Sequence, residues 1–196
     1  AIKNNELVDI NDVPSGLACG CTCPGCSEPL IAKKGDKMIH HFAHKPESDC
    51  SHGLETALHL KAKNILKNAS QFMLPEVRIN NSVTPVFKAQ KITYEKVILE
   101  QKMGNIIPDL LIKSRNKWLF IEIAVSHFSG KEKIKKLRQL DHAAIEIDAA
   151  ALLKNIQKGQ QFFQSHRFAN LLLLSPRYKK WLFNPRQKRL EDELYK

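Results

Sequence analysis

Every cysteine of this chain lies between positions 19 and 50, and four of its eight histidines lie between positions 40 and 52. An odd number of thiols crowded into one short stretch argues against a disulfide framework and favours a metal site. A segment of about fifty residues buries too little apolar surface to fold well alone, so a structural metal ion would explain its folding. The cluster therefore predicts a small zinc-binding β element over residues 1–52.

The turn Cys23-Pro-Gly-Cys26 has the ligand spacing of a zinc knuckle. Residues 30–39, with Gly35-Asp36 near their centre, predict a β-hairpin and not the helix of a Cys2His2 finger. We therefore expect His44 and Cys50 to complete the site. A reduced cysteine cluster without metal, or a redox pair, is the alternative reading, and Cys19 and Cys21 are spare in either case.

Downstream of the cluster, the hydrophobic pattern predicts two helices and four strands. In chain order these are helix 55–66, strands 97–100, 106–112 and 118–125, helix 131–140 and strand 144–148. The order αβββαβ indicates an α/β fold of the α+β type, with a mixed sheet flanked by helices. We assign residues 53–150 to this core and residues 151–196 to a basic, mostly helical extension.

Two carboxylates interrupt otherwise apolar strands, Asp109 in Ile-Ile-Pro-Asp-Leu-Leu-Ile and Glu122 in Leu-Phe-Ile-Glu-Ile-Ala-Val. Burying an ionised carboxylate without a partner costs several kcal/mol. A divalent cation shared by both acids would remove that cost, and would also activate a phosphodiester for hydrolysis. The structural alternative is that each acid caps a strand end or pairs with a basic side chain.

The chain resembles the competence protein CoiA family over residues 13–148. The resemblance is carried by Cys23-Pro-x-Cys26, His41-Phe-Ala-His44, Cys50, Glu55-x-x-x-His59, Pro108-Asp109 and Ile121-Glu122-Ile123. It implies a zinc-binding N-terminal element followed by a restriction-endonuclease-like PD-(D/E)xK nuclease core. It also implies that His41 accompanies His44 in the zinc site, and that His40 does not take part.

The same resemblance implies that Asp109 and Glu122 hold a catalytic Mg²⁺ or Mn²⁺ ion. Glu55 would reach this site from the first helix, Glu100 is a further acid, and His59 would be a ligand or orient Glu55.

One position departs from the motif, because Ala124 stands where the nuclease motif has Lys or Gln. A methyl group cannot stabilise developing negative charge. Three readings stay open: Lys63, Lys102 or His127 supplies the missing group, the metal ions suffice, or catalysis has been lost.

The chain carries 31 Lys and Arg against 20 Asp and Glu, a formal net charge of +11, which favours a polyanionic partner. The positive charge is concentrated on the second helix and near the C-terminus, where aromatic residues are interleaved with it. The candidate nucleic-acid contacts are Lys131, Lys135, Arg138, Arg177, Lys179 and Lys180. Packing of Trp181 in the core with a merely solvated basic face is the competing interpretation.

The predicted function is metal-dependent hydrolysis of DNA, single- or double-stranded, in DNA uptake, recombination or defence, with protein partners in those processes. An inactive DNA-binding or partner-docking module is the alternative, and the basic face would also suit RNA. The sequence has no apolar run of the roughly 18–20 residues that a membrane helix needs, and its first residues do not resemble a signal peptide. We therefore expect a cytoplasmic protein with no membrane partner.

Overall fold

The N-terminal part of the protein is built from two short hairpins and a small core. The computed structural model describes residues 1–79, 82–157 and 165–194. The first hairpin joins β1 (Ile2–Lys3) to β2 (Glu6–Leu7), and the second joins β3 (Ile31–Lys33) to β4 (His41–Ala43). The predicted hairpin is confirmed, with Ile31 opposite Ala43 in an antiparallel register. The buried core of this part consists of Val13, Cys19, Cys21 and Ala32.

A long helix connects this element to the rest of the fold. Helix α1 (Gly53–Asn68) extends the predicted helix by two residues at each end. Its apolar stripe, which includes Leu58, Ala62 and Leu66, is buried against the main sheet. A two-stranded hairpin follows, formed by β5 (Gln71–Leu74) and β6 (Gln90–Thr93).

The centre of the fold is a five-stranded mixed sheet. Its elements, with the intervening helices, are β7 (Lys96–Leu99), β8 (Leu110–Ser114), β9 (Lys117–Ala124), α2 (Lys131–Gln139), β10 (Ala143–Asp148), α3 (Ala149–Gln157), α4 (Ser165–Leu174) and β11 (Lys179–Phe183), and α5 (Pro185–Leu194) ends the described chain. The strand order is β11-β10-β9-β8-β7. Only β9 and β10 run parallel, as expected for strands joined through a helix. The predicted mixed α+β class is confirmed.

The two faces of the sheet bury different helices. On one face, Ile121, Ile123 and Ile145 pack with α1, α3 and α4 in the larger core. On the other face, Phe120 and Ala144 pack with Leu137 of α2 in a smaller core. Because strand side chains alternate between faces, Glu122 and Glu146 share the α2 face with Phe120 and Ala144.

Two expectations about the elements need correction. The predicted strand 106–112 begins only at Leu110, so Asp109 precedes β8 and does not lie within it. Pro108 has no N–H to give to a strand ladder, which explains the late start. The region 151–196 is not simply a helical extension, because β11 pairs antiparallel with β10 at the sheet edge. None of the helices in the described ranges is both long and apolar enough to cross a bilayer.

Candidate metal centre and acidic site

Four of the predicted zinc ligands converge at the start of α1. The sulfur atoms of Cys23, Cys26 and Cys50 and a ring nitrogen of His44 all lie within 4.8 Å of one another. The Cys23 and Cys50 sulfurs are 3.8 Å apart, and Cys26 Sγ is 3.3 Å from His44 Nε2. In a tetrahedral site with Zn–S bonds of about 2.3 Å, the ligand atoms are separated by about 3.8 Å. The four side chains therefore form a candidate metal centre with the geometry of a structural Cys3His site.

Backbone N–H groups around Cys23 favour its thiolate form. Burial opposes ionisation of this thiol, but the backbone N–H groups of Cys26 and Gly25 outweigh it and lower the pKa of Cys23 to about 7. The Gly25 N–H lies 3.3 Å from the Cys23 sulfur. Because a thiolate is the form that binds metal, this turn prepares Cys23 as a ligand.

Gly53, the first residue of α1, is a part of this centre that the sequence reasoning missed. A Cβ at position 53 would lie 2.8 Å from Cys23 Sγ and 3.3 Å from Cys50 Sγ. Only glycine therefore lets the helix start pack directly on the thiols. A glycine shortly after the last predicted ligand, Cys50, was the available signal.

The remaining residues of the cysteine-rich stretch lie outside the centre. His41 was expected to accompany His44, but its Nδ1 lies 2.8 Å from the carbonyl oxygen of Ile39 and it is not in the ligand group. This expectation is corrected: His41 is in strand β4, whose pairing with β3 fixes its position. Cys19 and Cys21 are buried in the small N-terminal core, where Cys19 Sγ donates to the Leu30 carbonyl oxygen at 3.2 Å.

Asp109 is held by side chains of α1 and by the backbone of β9. Its Oδ2 accepts from the Ile123 N–H at 2.8 Å and lies 3.0 Å from His59 Nε2. Its Oδ1 lies 3.3 Å from Lys63 Nζ, which also contacts Glu100 Oε1 at 2.6 Å. Burial raises the pKa of Asp109, but the bonds from His59 and Ile123 outweigh it, so the pKa is lowered. Asp109 is therefore a fixed anion.

Glu122 has the opposite character. It is only 4% exposed, and its Oε2 accepts from Lys133 Nζ of α2 at 2.6 Å. Its Oε1 is buried and has no hydrogen-bond partner among the described residues. Burial raises the pKa of Glu122 to about 7, and the charges of Asp109 and Glu146 add to the rise despite Lys133. Glu122 thus has an unsatisfied oxygen and an unusually basic carboxylate.

Lys133 is a cation that reaches the acid site, in which Ala124 replaces the Lys or Gln of the motif. Ala124 ends β9 and is 3% exposed, so its methyl group leaves the sheet without the motif cation. Lys133 brings an ammonium to Glu122 from the neighbouring helix. Of the three substitutes expected from the sequence, Lys63 contacts Asp109, whereas His127 Nδ1 lies 2.8 Å from Ser126 Oγ. Lys102 is exposed and, within the described ranges, forms no ion pair.

Glu55 lies at the border of the acid site. Ser126 Oγ, two residues beyond the end of β9, donates to Glu55 Oε1. This hydrogen bond lowers the pKa of Glu55. The helix α1 therefore brings Glu55, His59 and Lys63 towards the strand ends as the i, i+4, i+8 spacing predicts.

A second buried glutamate lies beside Glu122. Glu146 is 2% exposed and occupies the register position opposite Glu122 in the parallel pair β9–β10. Its Oε1 accepts from the Ser129 N–H at 2.6 Å, and Lys180 Nζ lies 2.7 Å from its Oε2. Sequence reasoning missed it, although a carboxylate inside an apolar strand was the signal that selected Glu122.

The predicted nucleic-acid contacts divide into surface and interior residues. Those exposed are Lys131, Lys135, Arg138, Arg177 and Lys180. Lys179 is a correction: it is 7% exposed, and its Nζ donates to the carbonyl oxygens of Leu173 and Met73 at 2.8 and 2.9 Å. Burial lowers the pKa of Lys179 to about 7. Alternation along β11 explains the error, because Lys179 points into the core while Lys180 points to the acid site.

Comparison with known proteins gives one match. Residues 18–53 match the family described as competence protein CoiA, N-terminal domain. Neither the curated proteins nor the solved structures contain a match to the chain. The matched segment contains all four residues of the candidate metal centre and ends at Gly53. The expected likeness to CoiA is thereby confirmed for residues 18–53, which are similar to the N-terminal domain of that family.

Proposed function

We propose that the protein is a divalent-metal-dependent nuclease that hydrolyses phosphodiester bonds in DNA. The observation that carries the proposal is Glu122, a buried glutamate beside Asp109 with one oxygen lacking a hydrogen-bond partner among the described residues. A buried polar atom of this kind is costly unless a ligand satisfies it. The order α1, β7, β8, β9, α2, β10, with the separate β5–β6 hairpin inserted after α1, and the CoiA-like segment 18–53 support the same proposal.

The acids suit a hard cation. Asp109, Glu122 and Glu55 offer only carboxylate oxygens, the ligands that Mg²⁺ prefers and that Mn²⁺ accepts. A bound Mg²⁺ or Mn²⁺ ion would polarise the phosphodiester and make a water molecule more acidic. Asp109 is already fixed as an anion by His59, Lys63 and the Ile123 N–H. Lys133 places positive charge at Glu122, two residues before the position where the motif residue is missing, and would stabilise negative charge that develops beside Glu122.

The N-terminal centre has a different proposed occupant. Three thiols and one imidazole are the donor set of a structural Zn²⁺ site, and no acid of the second site approaches them within the described ranges. We assign it a structural role, since the core of this element contains few buried side chains.

The basic surface and the CoiA likeness together favour DNA as the substrate. Lys131, Lys135 and Arg138 lie on the exposed side of α2, the helix that supplies Lys133. Arg177 and Lys180 lie at the β11 edge of the sheet, and β11 contacts α2. Phosphates held by both groups would be presented to the acid site. DNA uptake, recombination or defence, with protein partners from those processes, is the proposed setting.

An inactive DNA-binding or docking module is the second candidate, and a specific observation favours it. Both acids already have cationic partners within the chain, Lys63 and His59 at Asp109 and Lys133 at Glu122. Together with Ala124, this pattern is what a core would show if lysines had replaced the metal ion.

Cleavage of labelled DNA separates the two candidates. We expect the zinc-loaded protein to cut DNA with Mg²⁺ or Mn²⁺, and Glu122→Gln or Asp109→Asn to lower the rate at least a hundredfold. Lys135→Ala, which removes an exposed cation from the same helix, is the matched control for Lys133→Ala. A loss of about tenfold or more for Lys133→Ala alone would assign its role. DNA binding without cleavage by the wild type under any of these conditions would establish the docking module instead.

A further inference from the structure

A cavity of about 440 Å³ lies at the end of β10, next to the acid site. Phe128 lines it from the segment after β9, Arg177 and Tyr178 line it from the turn before β11, and Lys180 lines it from β11 itself. The volume falls in the range of roughly 300–1,000 Å³ that is usual for small-ligand sites. The cavity is therefore large enough for a ligand, and its walls combine aromatic rings with cations.

Phe128 is the unusual wall of this cavity. Its side chain is 55% exposed, although phenylalanine side chains are normally buried. Lys180 Nζ lies 4.5 Å from the ring centroid, so the ring already contacts one cation. Tyr178 is half-buried and packs on the main core, which fixes the wall on the β11 side. An exposed ring in a cationic cavity is a typical surface for stacking a nucleic-acid base.

Glu146 joins the two walls. Its Oε1 accepts from the Ser129 N–H and its Oε2 is paired with Lys180 Nζ, so one buried carboxylate holds the Phe128 segment and β11 together. Since Glu146 is also the register neighbour of Glu122, the cavity begins one strand away from the proposed catalytic acid. A ligand in the cavity would thus continue directly into the acid site.

Arg177 is the cation available to an outside anion. Two carboxylates also line the cavity: Glu146 is paired with Lys180, and Asp148 Oδ1 accepts from the Ala151 N–H at 2.8 Å. Within residues 1–79, 82–157 and 165–194, Arg177 is exposed and its guanidinium has neither a hydrogen bond nor an ion pair. A guanidinium can bind a phosphate through two parallel N–H···O bonds.

We propose that this cavity is a subsite for one unpaired nucleotide of a single DNA strand, with the base stacked on Phe128 and a phosphate bound by Arg177. A base presents its face only when it is out of a duplex, so the subsite favours single strands or frayed ends. The inference rests on the proposed nuclease function and adds the substrate class: a strand that passes from the cavity to Asp109 and Glu122.

Equilibrium binding of a fluorescein-labelled single-stranded oligonucleotide, measured by anisotropy with zinc-loaded protein and no added Mg²⁺ or Mn²⁺, tests the subsite. We expect Phe128→Ala to weaken binding about tenfold, the loss typical of one stacked base, and Phe128→Tyr to keep it. Arg177→Ala should weaken binding several-fold. It should also reduce the slope of log affinity against log salt concentration by about one, since one phosphate contact is lost. Lys117→Ala, an equal loss of charge at the other end of β9, should change affinity less than twofold.

The possible results separate the subsite from the nuclease proposal. Equal affinities for wild type, Phe128→Ala and Arg177→Ala would overturn the subsite and leave metal-dependent cleavage untouched, because cleavage is measured independently. Tighter binding of the matched duplex, or of matched RNA, would also overturn it. Absence of binding to any DNA would overturn the subsite together with the DNA substrate of the proposed nuclease.

Discussion

The thiol centre and the acid site differ in which groups face their negatively charged side chains. In the thiol centre, the four donor groups face one another, with Cys23 Sγ 3.8 Å from Cys50 Sγ and Cys26 Sγ 3.3 Å from His44 Nε2. In the acid site, Asp109 and Glu122 each face a lysine, so the chain itself supplies the positive charge. The difference predicts that the thiol centre needs a metal ion to fold, whereas the acid site folds without one and, under the proposed function, would bind its ion reversibly.

The largest effect should follow from removing a thiol ligand. Cys50→Ser should lose its zinc and unfold the N-terminal element, because structural zinc contributes on the order of 10 kcal/mol to such small elements. Metal analysis and the thermal unfolding curve of the purified variant measure the effect. Cys19→Ala, which alters a buried thiol outside the centre, is the control and should keep one equivalent of zinc. Full zinc occupancy in Cys50→Ser would contradict the assignment.

The acid site should show its character in the pH dependence of stability. Burial raises the pKa of Glu122 from its model-peptide value of 4.5 to about 7. The folded state then holds a proton between these values that the unfolded state has lost, so stability falls as the pH rises from about 4.5 to 7. The total loss is about 3 kcal/mol.

Glu122→Gln removes this dependence. We would measure urea unfolding of zinc-loaded protein at pH 5 and pH 8, without Mg²⁺ or Mn²⁺. From pH 5 to pH 8, the free energy of unfolding of the variant should rise relative to that of the wild type by roughly 2–3 kcal/mol. If the difference in free energy of unfolding between wild type and variant is the same at pH 5 and pH 8, Glu122 titrates normally and its unsatisfied oxygen is not costly.

A smaller effect is expected where the two parts of the molecule meet. Gly53→Ala would place a Cβ 2.8 Å from Cys23 Sγ, and relieving this contact should cost about 1–3 kcal/mol and speed the loss of zinc to a chelator. Gly130→Ala, where a Cβ meets nothing within 4 Å, is the matched control. Identical rates of zinc release in both variants would show that α1 does not support the centre.

The regular parts of the fold were predictable because their signals are local. Helix α1, strand β9 and the Cys23–Cys26 turn follow from apolar periodicity and ligand spacing, and the structure matches the helix and strand to within two residues. The ligands of the metal centre were predictable from the same kind of local signal, their spacing in the sequence. Pro108 shortened the next strand, an effect that the apolar run on either side concealed.

The errors and omissions arose from long-range contacts. Lys133 and Glu146 reach the site from α2 and β10, and sequence spacing gives no measure of those distances. Lys179 was expected at the surface because its neighbours in the sequence are basic. The alternation of side chains along β11 instead directs it into the core. A strand in the C-terminal part was likewise hidden, because its partner β10 lies more than thirty positions earlier in the chain.

Binding of Mn²⁺ to zinc-loaded protein, followed by electron paramagnetic resonance, tests whether these acids hold a divalent ion. We expect one Mn²⁺ ion to bind per chain, and Glu122→Gln to weaken this binding at least tenfold while the zinc content stays the same. Lys133→Ala should not weaken it, because removing the competing ammonium frees Glu122 Oε2. Absence of Mn²⁺ binding, or binding that is equal in wild type and Glu122→Gln, would contradict a metal-dependent nuclease site at these acids.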